Sequence, residues 1–169
     1  MSERNSGRSS GRNLGRNLGR SSGRMSGRIN WIAVIAAVIV QQIVGFLWYG
    51  ALFQEPWMNA VGLTAADVES ANMPVSMAVS FLASIAAAIL LSLLLSATDE
   101  WGLMNGLKWA FLLWLLLALP IHVETNIWAL RGWIPALIDG SEALVALLAA
   151  GAVIGMRRPK HAVLTSLTF

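Results

Sequence analysis

Trp48–Met58 reads WYGALFQEPWM. Upstream of it, Ile29–Leu47 carries no charge, and Glu55 then opens a polar segment. Trp48, Tyr49 and Trp57 therefore fall where apolar sequence gives way to polar sequence. Indole and phenol rings have an apolar body and one polar atom, and they favour the headgroup level of a bilayer. The stretch is read as a first membrane helix leaving the bilayer. Trp57 and Met58 are expected to lie flat in the interface.

Working outward, the composition supports a membrane protein. Apolar residues make up 56% of the 169 and charged residues 12%, about half the soluble norm of roughly 25%. The run Ile29–Tyr49 is long enough to cross a hydrocarbon core of about 30 Å at roughly 1.5 Å per residue. It is too long for a signal-peptide core and lacks an A-x-A-like cleavage site. Three further apolar runs give an expected all-α, four-helix transmembrane bundle. Its helices are placed at about 29–50, 74–97, 103–121 and 134–156, within a domain of 29–157.

Residues 1–28 stand apart. Arg recurs at 4, 8, 12, 16, 20, 24 and 28, with Gly before every one except Arg4. Almost nothing in this x-x-Gly-Arg repeat can be buried, and the glycines oppose a helix. A disordered basic tail is expected, leaning on anionic lipid. Arg-Gly segments also bind single strands, but a nucleic-acid partner is not expected. Met25 directly precedes the apolar domain and is a candidate functional start. Residues 158–169 make a tail too short to fold alone.

WYGALFQEPWM resembles the WYGPLFGKxWM signature of a bacterial membrane family known as domain of unknown function 1761. Ala51 stands where that family usually has Pro, and Gln54-Glu55 where it has Gly-Lys. The similarity spans about Ile29 to Arg157. It takes in Asn30-Trp31, the aromatic third helix with Trp109 and Trp114, the turn from Trp128 to Trp133, and a glycine-bearing fourth helix. The resemblance implies four membrane helices. It brings no activity and no catalytic residues.

Within the helices, polar residues are the informative ones. Gln41 and Gln42 lie at mid-depth in helix 1 and must find partners inside the bundle. Ala33, Ala37, Gln41 and Gly45 recur every four residues, a spacing that lets another helix approach closely. Serines at 76, 80, 84, 92 and 96 mark helix 2, on a stripe that winds about 40° per step and so faces different neighbours at its two ends. Thr64-x-x-Asp67 resembles a capping box. Lys108 is expected to reach the interface. Gly151 and Gly155 form one GxxxG.

The outer half gathers His122, Glu124, Asn126, Arg131, Asp139 and Glu142. His122 and Asn126 share a helix face unless Pro120 breaks the helix. Asp139 and Glu142, three apart, also share one, roughly 8 and 12 Å inside Ile134. Ionisable residues inside a membrane mark function by default. The structural alternative pairs Arg131 with Glu124 or Asp139, whereas an unpaired acid would be able to carry a proton.

Enzyme signatures such as HExxH, GxSxG and the P-loop are missing. One His with scattered acids lacks a metal-ligand spacing, and the chain has no cysteine. No cofactor, metal or catalytic residue is expected. The expected role is a non-enzymatic membrane protein that binds or moves a small solute or proton. The alternative is a structural or accessory subunit, and an intramembrane enzyme comes third. The expected partners are the lipid bilayer and other membrane helices, with a homo-oligomer foremost. Cations before helix 1 and at Arg157, Arg158 and Lys160 place both termini in the cytoplasm of an inner-membrane protein by the positive-inside rule.

Overall fold

The computed structural model describes residues 29–157, all helices and short connections. The expected Gly/Arg tail of 1–28 and short tail of 158–169 lie outside the described residues. The chain runs through α1 (Trp31–Leu47), a π turn (Trp48–Leu52), α2 (Gln54–Val61), α3 (Ala65–Ser70) and α4 (Met73–Thr98). It continues through α5 (Leu103–Leu113), a second π turn (Trp114–Ala118), α6 (Leu119–Trp128) and α7 (Trp133–Gly155). Trp31–Leu52, Met73–Thr98, Leu103–Trp128 and Trp133–Gly155 are long and apolar enough to cross a membrane, at 22, 26, 26 and 23 residues. This is a multi-pass, all-α membrane protein.

Local sequence explains where the helices start and stop. Asn30 caps α1 by accepting from Ala33 N (3.2 Å), and its Nδ2 donates to the Arg157 carbonyl (3.2 Å), tying the start of α1 to the end of α7. Asn72 caps α4 in the same way, with Pro74 in the first turn. The Thr64–Asp67 capping box forms. Hydrogen bonds from the Thr64 side chain and backbone hold the Asp67 carboxyl below the usual carboxylate range. Gly62, at φ +75°, ends α2 in a conformation that an L side chain adopts at a cost.

The third span runs seven residues past the expected end at Ile121. Pro120 has no N–H to donate, and its ring crowds the carbonyl four residues back. The π turn just before it absorbs this. Leu119 N–H bonds the Trp114 carbonyl, five residues back, and the helix continues through Pro120 to Trp128.

The helix α7 is the hub, packed against α1, α2, α4, α5 and α6. Its buried side is built largely from small residues: Ala136, Gly140, Ala143, Ala146, Ala150, Gly151 and Gly155. Ala33 and Ala37 are buried on α1, while Ile32, Ile35, Ile39 and Ile43 point outward. The arrangement suits lipid, which matches an Ile face as well as protein does. Helices associate there through close packing and interhelical hydrogen bonds rather than by hiding hydrocarbon.

The closest approach is between α5 and α7. A Cβ on Gly106 would overlap the Gly151 carbonyl, one on Gly151 would lie 2.7 Å from Ala110 Cβ, and one on Gly155 2.5 Å from the Gly102 oxygen. Gly102 N–H also donates to the Gly155 carbonyl (2.8 Å). On α4 the serine stripe divides: Ser92 is buried, whereas Ser76 and Ser80 are exposed on the first turns.

At the end of the bundle holding residues 30 and 157, Lys108 pairs with Glu100 and lies 5.4 Å from the Trp109 ring centre. Hydrogen bonds from Lys108 and then Trp109 hold the Glu100 carboxyl below its ordinary range. The opposite end, with the 53–72 loop and the 129–132 turn, carries the site.

Candidate functional site: a carboxylate wrapped by aromatic donors

Asp139 lies six residues into α7, about 9 Å along its axis. A carboxylate at that depth needs donors, since water is scarce and an unsatisfied charge is costly. Three side chains supply them. Tyr49 Oη and Trp57 Nε1 donate to Oδ1 at 2.9 and 2.8 Å, and Asn126 Nδ2 donates to Oδ2 at 3.0 Å. All three donors are neutral.

Each donor arrives by a different piece of backbone geometry. Tyr49 stands in the first π turn, where Phe53 N–H bonds the Trp48 carbonyl five residues back. After this turn the chain folds back as α2, which packs against α7 and brings Trp57 onto the carboxylate. The Tyr49 and Trp57 rings meet edge to face at 5.3 Å. Asn126 comes from α6, beyond the second π turn, and its Nδ2 also donates to the His122 carbonyl at 3.0 Å.

Two more indoles hold the backbone on either side of Asp139. Trp48 Nε1 donates to the Ile138 carbonyl (3.2 Å), and Trp114 Nε1 to the Gly140 carbonyl (2.6 Å). Each of these tryptophans is the first residue of its π turn. Ser141 Oγ adds bonds to the Leu137 and Ile138 carbonyls.

Trp48, Tyr49 and Trp57, read from sequence as interfacial, thus spend their polar atoms on α7. All three are half-buried. The Trp57 indole turns its N–H inward, toward Asp139. Arg131 is exposed and forms no ion pair with Glu124 or Asp139. The salt bridge of the structural alternative is not formed, and the three neutral donors stand in its place. Glu124 is exposed and outside the cluster, and His122 meets Asn126 through its backbone alone.

Glu142 sits one turn deeper on the same face as Asp139. It is half-buried, and its carboxyl makes no hydrogen bond to any described residue. Gly45 of α1 stands opposite: a Cβ there would lie 3.6 Å from Glu142 Oε1. One turn further along α1, Gln42 donates to Ser84 Oγ (2.8 Å) and accepts from Ser80 Oγ (3.3 Å). The buried Gln41 donates to the Ala37 and Ser84 carbonyls at 3.3 and 3.2 Å.

Residues 32–155 match the family model described as Protein of unknown function (DUF1761). The chain belongs to this family. The matched span contains every residue of the cluster, from Gln41 to Glu142. No curated protein and no solved structure matches the chain.

Sequence reasoning missed Trp114 as a partner of the cluster, and it missed the α5 half of the glycine contact. Gly102, Gly106 and Ala110 do repeat every four residues, the same signal that singled out Gly151 and Gly155. No comparable pattern marks Trp114, because its role depends on the Gly140 carbonyl, 26 residues downstream.

Proposed function

We propose that this protein is a non-enzymatic membrane protein that binds a proton or a small solute at the Asp139–Glu142 face of α7. One observation carries the reading. Two carboxylates share one face inside a membrane span, and among the described residues neither has a cationic partner. Taking a carboxylate out of water costs several kcal/mol unless it is compensated. Three donors hold Asp139 and leave Glu142 as the exchangeable acid.

The two acids divide the work. Asp139 anchors the first π turn, α2 and α6 on α7, and Glu142 is free to gain and lose its ligand. A purely structural or accessory role draws support from the anchoring alone, since three hydrogen bonds to one carboxylate also make a staple. Tryptophan fluorescence of the full chain, followed from about pH 4 to 9, separates the readings. Binding predicts a titration that Glu142→Gln removes while the protein stays folded. A signal flat with pH and unchanged by Glu142→Gln supports the staple and overturns the binding role.

We place the protein in the bacterial inner membrane with both termini cytoplasmic, in contact with lipid and with further copies of itself. Arg157 closes α7 and, with the cations around it, supports that orientation. Cysteines introduced at Thr64 and at Ser166 are expected to label from opposite sides of the membrane. Labelling from one side overturns it.

A further inference from the structure

The unmet polar atoms of the cluster are all acceptors. Asn126 is buried at 2% exposure, and its amide is pinned, because Nδ2 donates both to Asp139 and to the His122 carbonyl. That orientation leaves Asn126 Oδ1 buried without a donor. The Glu142 carboxyl also lacks one, yet its oxygens are not sealed off as Asn126 Oδ1 is. Asp139, with three donors, stays an acceptor and adds negative field. The cluster therefore lacks both positive charge and uncommitted N–H or O–H donors.

Resting on the binding role proposed above, we infer that the ligand is a primary ammonium group, held by the Glu142 carboxylate with Asn126 Oδ1 as a neutral acceptor. An ammonium carries one positive charge and three donors in a compact head, matching what the cluster lacks. The Tyr49 and Trp57 rings beside Asp139 favour a cation over their faces. A metal ion fits less well. Among the described residues no three His, Asp or Glu gather as a ligand shell requires, and an orphaned amide oxygen asks for a donor as readily as for a metal.

Gly45 leaves the approach to Glu142 open. A methyl there would lie in van der Waals contact with Oε1 and take the space of an entering ligand, without clashing with the fold. The ammonium has two sources: a free alkylamine or the headgroup of an aminophospholipid. Binding has to uncover Asn126 Oδ1, and because Asn126 and Trp57 share Asp139 as their acceptor, tryptophan emission is the readout.

The test uses the full chain in phosphatidylcholine nanodiscs, titrated with methylammonium or tetramethylammonium chloride at constant ionic strength. Methylammonium is expected to shift the emission saturably. Tetramethylammonium, equal in charge but without N–H, is expected to leave it unchanged. Glu142→Gln is expected to weaken the response about 30-fold or more, the loss typical of truncating a buried charge partner. Gly45→Ala is expected to weaken it with thermal unfolding unchanged. If phosphatidylethanolamine nanodiscs give the shifted emission without added amine, the source is lipid; if they do not, it is the free amine. An equal response to tetramethylammonium overturns the inference. So does no response to either cation. In that second case a Glu142-dependent pH titration would leave the proton-binding reading standing, and its absence would remove both.

Discussion

Near Gly151, α7 meets its neighbour through bare backbone; near Asp139, the same helix meets side chains from three directions. At the first contact there is no room for a single Cβ between Gly106 and Gly151. At the second, Tyr49, Trp57 and Asn126 converge on one carboxylate, and two indoles bind the flanking carbonyls. The difference teaches how a bundle in lipid divides its tasks. Close packing of glycine makes one end rigid through backbone alone. Polar side chains make the other end specific, at the cost of burying acids, and leave acceptors over.

Mutations that exchange these characters should have unequal effects. The largest is expected of Gly151→Val, which drives a branched side chain into the Gly106 carbonyl and Ala110. Overpacking costs about 1–3 kcal/mol where neighbours can shift, and a backbone carbonyl shifts poorly. Loss of the monodisperse species on size exclusion is expected, and a well-folded variant would break the comparison at its rigid end. Asp139→Ala comes next. It leaves the donors of Tyr49, Trp57 and Asn126 unpaired, and buried donors cost about 1–3 kcal/mol each. Thermal unfolding in detergent should fall markedly, and Asp139→Asn should fall by less.

A smaller effect is expected of Trp57→Phe, which keeps the ring contact with Tyr49 and removes one bond to a charged acceptor, worth about 1.5–3 kcal/mol. Its unfolding should be coupled to Asp139→Asn in a double-mutant cycle. Additive effects would mean that the indole bond contributes nothing. The smallest is Arg131→Gln, within about 0.5 kcal/mol of the parent, as for an exposed side chain without a partner. A loss comparable with Asp139→Ala would restore the salt bridge inferred from sequence.

That salt bridge shows where the sequence stopped being legible. Hydropathy and run length located four spans, because a helix must satisfy its backbone internally to cross lipid. Depth and spacing singled out Asp139 and Glu142, since three residues on a helix fix a shared face. Partner choice was another matter. Arg131 was the obvious mate by charge, but it follows the end of α6 and stays outside, while Tyr49 and Trp57 reach Asp139 across some 80 to 90 residues of chain. The π turn makes that reach for Tyr49 and the back-folding of α2 makes it for Trp57, and Glu55-Pro56 announces a helix start without saying where the helix will lean. The aromatic signature was seen for its bilayer preference, a property of ring chemistry, whereas its bonding depends on tertiary placement.

The second π turn has a consequence for helical phase. A π turn holds one residue more than the α-turn it replaces, so everything beyond it is rotated by about 100° relative to an uninterrupted α-helix. A helical wheel drawn through Leu103–Trp128 as one α-helix therefore puts Asn126 on the wrong side, although every residue is helical. Deleting a single leucine from Leu115–Leu117 would leave hydropathy, span length and charge almost unchanged. It would remove the extra residue, return the turn to α-helix and keep Asn126 facing Asp139, whereas straightening the turn with its full residue count would swing Asn126 away. The position of that one extra residue decides which way a membrane helix faces, and composition does not register it.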